Sequence, residues 1–127
     1  DEPTPPVEEN QIIGEWSLIK REQVWATDFF NFNDVIWTFD QNQVLVEINL
    51  EEEDYLIRSK LFPFYVPGSF DYTINEDLIH FDLDYIPEEA EGYKNYPFKI
   101  SYDTLYIGEV IYLPYGGNTM KFTLVRN

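Results

Sequence analysis

Apolar residues recur at every second position along most of this chain, and short polar clusters separate the runs. Near the start, Trp16 and Leu18 share one face and Ser17 the other. Val44, Val46, Ile48 and Leu50 alternate with Leu45, Glu47 and Asn49; Phe70, Tyr72 and Ile74 share a face, as do Ile79, Phe81 and Leu83, and later Phe122, Leu124 and Arg126. A period of two predicts strands. The punctuation agrees: Asp40-Gln41-Asn42-Gln43, Asn75-Glu76-Asp77, Ser101-Tyr102-Asp103 and Pro114-Tyr115-Gly116-Gly117-Asn118 each fall between two runs. The pattern predicts a first strand from Gly14 to Lys20, bending on towards Trp25, then strands over 35–39 and 44–50. A hairpin around residues 75–77 follows, then strands over 96–100 and 104–113 and a last strand from Met120 to Arg126.

Other stretches lack clean alternation. Ala26 to Asp34 keeps no helical period and reads as a loop or short helical turn. Glu51-Glu52-Glu53-Asp54 sets four like charges side by side, which fits a solvated rim. Tyr55 to Pro67, interrupted by Pro63 and Pro67, reads as an irregular edge strand, and Pro87 to Gly92 as an acidic loop. Eight or nine short strands with no amphipathic helix make an all-β antiparallel meander, either rolled into a barrel or folded as a β-sandwich. Parity tips the choice. If Phe122 and Leu124 point inward so does Arg126, whose guanidinium then needs carbonyls, a carboxylate or an aromatic face, and Trp16 is a candidate for that face.

Gly14, Trp16 and Arg126 together resemble the lipocalins and their calycin relatives, in which a Gly-x-Trp near the start is answered by a basic residue near the end. The resemblance covers about residues 12 to 126. It implies an up-and-down barrel of about eight strands, closed at one end by the tryptophan and the late basic residue. It also implies that Phe29, Phe30 and Phe32, on the crossing after the first strand, lid the barrel; the alternative is a plug of core aromatics. The Thr-Asp-Tyr signature and the disulfide cysteines of the larger lipocalins are absent here. The strands and tight turns are similar to small lipocalin-like domains of Bacteroidetes secreted lipoproteins.

Composition narrows the partners. Eight Lys plus Arg against 24 Asp plus Glu give a net charge of −16, so nucleic acid and anionic membrane surfaces are not expected partners. Aromatics at 18% exclude an acidic disordered chain and point to a packed β-rich core. No run approaches the roughly 20 apolar residues of a membrane span. Residues 1–11, acidic and Pro-rich, read as a flexible tether before a single barrel domain over 12–127. That tether resembles the segment after the lipidated cysteine of Bacteroidetes lipoproteins, implying export to the periplasm or cell surface with a lipid anchor upstream; a frayed terminus of a cytosolic protein is the alternative.

Candidate chemistry is sparse. With no cysteine and His80 the single histidine, nucleophilic catalysis has little to work with, and no catalytic activity or cofactor is expected. His80, Asp82 and Asp84 share a strand face that could hold a divalent cation, but Ile79, Phe81 and Leu83 claim the inward face and no metal is expected. Among 24 acids some close carboxylate pair is inevitable, and no spacing selects one for glycoside chemistry. Binding remains. Trp37, Phe70, Tyr72, Phe81 and Phe98 are the candidate lumen residues for a small apolar or amphipathic ligand, with Tyr72 orienting its polar end; the alternative is a lumen filled by side chains. A surface module is the second class: Tyr93, Tyr96, Tyr102, Tyr106, Tyr112 and Tyr115 could recognise glycan or a protein partner.

Overall fold

The computed structural model describes residues 9–24, 26–49, 60–110 and 120–127. After a single helical turn, Glu9–Ile12, come β1 (Gly14–Gln23), β2 (Thr27–Phe29), β3 (Val35–Phe39), β4 (Gln43–Ile48) and β5 (Gly68–Asn75). Then follow β6 (Leu78–Phe81), β7 (Asn95–Ser101), β8 (Thr104–Gly108) and β9 (Met120–Arg126). Sheet order is β2-β1-β3-β4-β5-β6-β7-β8-β9, every pair is antiparallel, and β9 returns to pair with β1. With β2 set aside as a short addition to β1, eight strands form a closed antiparallel meander. Closure leaves no long open edge.

The ten residues of β1 make this possible. One of its edges runs along β9 from Trp16↔Arg126 to Gln23↔Met120. The other is shared: Gly14–Ser17 pair with β3, and Lys20–Glu22 with β2. Here the structure differs from the sequence reading, because Thr27–Phe29 pair with the stretch of β1 that β3 leaves unused instead of forming only a loop. A bulge between Leu18 and Lys20 shifts the register against β9, so that Arg21 lies opposite Phe122. Directly opposed residues share a face. The inward series along β1 is therefore Trp16, Leu18 and then Arg21, which is 4% exposed.

Trp16, Trp37, Phe39, Phe64, Phe81 and Phe122 are the largest fully buried side chains. Each buried phenylalanine is worth roughly 1.5–3 kcal/mol in transfer free energy, so these rings dominate the core. Phe64 comes from no strand. Residues 60–67, expected to continue an irregular edge strand, form a turn that contains a cis Phe62–Pro63 bond, and Leu61 and Phe64 are buried. That segment plugs the barrel; of Phe29, Phe30 and Phe32, the first and last are exposed and Phe30 alone packs against the core. The acidic stretch 87–92 is also more ordered than expected, with a 3₁₀ helix over Glu88–Tyr93 kinked at Ala90. Trp25, Glu51–Asp54, Tyr55–Ser59, residues 111–113, the turn at 114–118 and most of the expected tether lie outside the described residues. Among the described residues no helix is long and apolar enough to cross a membrane.

Candidate functional site

The two ends of the barrel differ in chemistry. At the closed end the Arg126 guanidinium lies over the Trp16 ring, 4.0 Å from its centroid, and donates to the carbonyls of Gln11 (2.8 Å) and Ile13 (3.2 Å). Trp16 Nε1 donates to the Ile12 carbonyl at 2.8 Å. Gly14 sits between these groups with φ of +130°, where a Cβ would lie 3.0 Å from Arg126 Nη1. Tyr72 also belongs to this end: its hydroxyl donates to the Asp40 carbonyl at 2.5 Å.

At the opposite end, the mouth, an arginine enters the core. Arg21 Nε donates to the Phe62 carbonyl (3.1 Å), and Nη1 to Gln23 Oε1 and Asp28 Oδ2 (both 3.3 Å). Lys60 Nζ stands 3.8 Å from the other oxygen of Asp28. Among the described residues, these two cations share one carboxylate and leave one positive charge in excess, in a chain of net charge −16. Desolvation lowers the Arg21 pKa from its ordinary value and Asp28 opposes the shift. The guanidinium stays protonated, since arginine starts so high. Around it the Tyr96 hydroxyl donates to the Tyr93 carbonyl (2.7 Å) and Tyr85 to the Pro63 carbonyl (2.5 Å). Burial pushes both phenol pKa values well above the ordinary range.

Below Arg21 the lumen is aromatic. The Phe64 ring lies 4.4 Å from Trp37, 5.0 Å from Phe81, 5.3 Å from Phe122 and 6.1 Å from Tyr96, edge-on to Phe81 and Phe122. Trp37 Nε1 is buried and, among the described residues, has no hydrogen-bond partner. A buried N–H without an acceptor costs about 1–3 kcal/mol.

All five expected lumen residues are in the buried core; Trp37 and Phe81 meet at 6.1 Å, and Tyr72 lies opposite Phe81 across the β5–β6 ladder. Tyr72 packs edge-on against Phe39 at the closed end, and Phe70 contacts Tyr85. Phe98 is nearly buried and borders an outer-wall cleft of about 460 Å³ with Lys99, Tyr106 and Lys121. Arg21 and Phe64, the residues that give the mouth its character, are not singled out by the sequence. The bulge hides the first, since strict alternation would turn Lys20 inward with Leu18. The aromatic density of Phe62-Pro63-Phe64-Tyr65 was the available signal for the second. Tyr96, expected among surface tyrosines, is 3% exposed because its parity on β7 turns it inward. Tyr102 is 95% exposed at a hairpin tip; Tyr112 and Tyr115 lie outside the described residues. His80 Nδ1 is 2.7 Å from Asn95 Oδ1, and among the described residues no three His, Asp or Glu side chains are grouped to hold a metal.

No family profile and no curated protein matches the chain. A solved structure does. It is the crystal structure of an uncharacterized protein from Bacteroides eggerthii DSM 20697, with a TM-score of 0.56 and 8% sequence identity, covering 91% of this chain and 99% of that one. Likeness at that identity is a likeness of fold.

Proposed function

We propose that this chain is a non-catalytic, lipocalin-like binding protein that takes a small amphipathic molecule at the barrel mouth. The apolar part lies among Trp37, Phe81 and Phe122, and the polar end meets Arg21. Arg21 carries the reading: it is a nearly buried cation in a locally positive group, tied to the neutral Phe62 carbonyl and to an Asp28 carboxylate that Lys60 shares. A buried charge is costly unless fully paired, and a guanidinium fork suits a carboxylate or another oxyanion. The lipocalin-like kinship is supported by Arg126 over Trp16. The acidic, Pro-rich start supports an exported, lipid-anchored protein, which protease treatment of intact host cells would test.

Native mass spectrometry of the protein from its own host tests the binding itself. The reading expects a co-purifying small molecule with an anionic group, lost in Arg21→Met. A bare protein with no saturable uptake of fluorescent fatty acids or retinoids would contradict it. That result would favour a surface module recognising glycan or protein. One feature favours this second reading: on the outer wall, Tyr106 stands with Lys121 Nζ 4.7 Å and Lys99 Nζ 5.5 Å from its ring centroid, beside the cleft.

A further inference from the structure

Phe64 is anomalous among the core rings because a connecting segment supplies it. It is 1% exposed, and its ring spans the lumen between residues of β3, β6, β7 and β9. Among the described residues the polar ties on its segment are few: Phe64 N–H to the Leu61 carbonyl (2.7 Å), Tyr85 to the Pro63 carbonyl, Arg21 to the Phe62 carbonyl, and the half-exposed Lys60 Nζ 3.8 Å from Asp28. No strand ladder holds residues 60–67. A segment with so few backbone ties opens at lower free energy than the ladders around it. Were it to lift, the space left would have the size of a phenyl ring, with aromatic walls that include Trp37, and Arg21 would be released from its carbonyl.

We propose that Phe64 stands in for a ligand, and that the ring of a small aromatic acid displaces it while the carboxylate takes Arg21 from the Phe62 carbonyl. The inference rests on the mouth being the binding site and names both the ligand class and the device that guards it. The ring is specified by the walls: Phe81 and Phe122 meet Phe64 edge-on at 80° and 84°, a geometry that a planar ring regains and a flexible alkyl chain does not. The carboxylate is specified by charge. The Arg21–Asp28–Lys60 group has one positive charge in excess, and a guanidinium binds a carboxylate more strongly than a neutral carbonyl. In the empty protein the plug competes with the ligand, so affinity is reduced by the fraction of molecules whose mouth is closed.

The test is calorimetric titration of wild type, Phe64→Ala and Phe64→Ala/Arg21→Gln with 3-phenylpropionate, toluene and octanoate. We expect wild type to bind 3-phenylpropionate, Phe64→Ala to bind it at least tenfold more tightly, and the double variant to lose its preference for the acid over toluene. If Phe64→Ala does not fold, Phe64→Leu takes its place with the same order expected. Equal binding of toluene and 3-phenylpropionate by Phe64→Ala would show a mere engineered cavity and overturn the proposal. Octanoate bound by wild type with no gain on truncating Phe64 would overturn it too, while leaving the amphipathic-ligand reading intact. Failure of every probe on both folded proteins would refute the aromatic acid; a bare protein from the host would separately refute the parent reading.

Discussion

Arg126 uses both its face and its edge at the closed end: the plane covers Trp16 while the nitrogens reach the Gln11 and Ile13 carbonyls. Arg126→Met keeps the stem but loses these interactions, and should cost about 1–3 kcal/mol by denaturant unfolding. Gly14→Ala should also destabilise, since φ of +130° strains any side chain and the new Cβ would press on Nη1. The two changes should not add. Removing the guanidinium removes the clash, so Gly14→Ala should cost less in the Arg126→Met background; strictly additive midpoints would contradict the arrangement. Asp40 makes a separate prediction. Its carboxylate accepts the backbone N–H groups of Asn42 (2.8 Å) and Gln43 (2.6 Å), which hold its pKa below the usual carboxylate value. The stability this gives is present above the unfolded pKa of about 3.9 and is lost as pH falls through the lower folded value. A carbon-detected NMR titration should show Asp40 ionising below the ordinary aspartate value of about 3.9, and Asp40→Asn should flatten that part of the acid dependence.

Strand identity was legible in the sequence because one face of each strand is buried and the other wet, as in β4, where Val44 and Val46 are buried and Leu45 and Glu47 are exposed. The inward faces of β5, β6 and β9 follow the same logic through Tyr72, Phe81 and Phe122. Arg21 was not legible, because one extra residue in β1 reverses the parity of all that follows and leaves no local mark in the sequence. Phe64 was hidden for another reason: its burial is decided by the lumen it enters, and period has no meaning in an irregular segment. Gly108 is a comparable case between β8 and β9. An added Cβ would lie 2.1 Å from the Met120 carbonyl oxygen, in backbone with φ of +92°. Gly108→Ala should therefore push the two strands apart. We expect a loss exceeding about 2 kcal/mol, or no soluble product, with wild-type unfolding behaviour as the contrary result.

At the scale of the whole molecule, the pairing of β1 with β9 joins residues about a hundred positions apart, and the barrel closes only when it forms. Amides of that ladder should exchange by global unfolding, whereas the Phe64 amide should exchange through a cheaper local opening of its segment. Alkaline stability follows from the mouth tyrosines. Tyr85 and Tyr96 have folded pKa values raised by burial, so they contribute stability that is full below the unfolded value of about 10 and is lost as pH climbs above it. Their tyrosinate absorbance should appear together with loss of the fold and not before it. Beneath that mouth, two indole N–H resonances report whether a ligand enters. Trp16 Nε1 is bonded to Ile12, while Trp37 Nε1 is buried with no acceptor among the described residues, on the ring that Phe64 packs against. On addition of 3-phenylpropionate, or of the molecule that co-purifies from the host, the Trp37 indole signal should move and that of Trp16 stay in place. Saturable binding that shifts neither Trp37 nor Arg21 Nε–H, and moves only outer-wall residues such as Tyr106, would contradict the account.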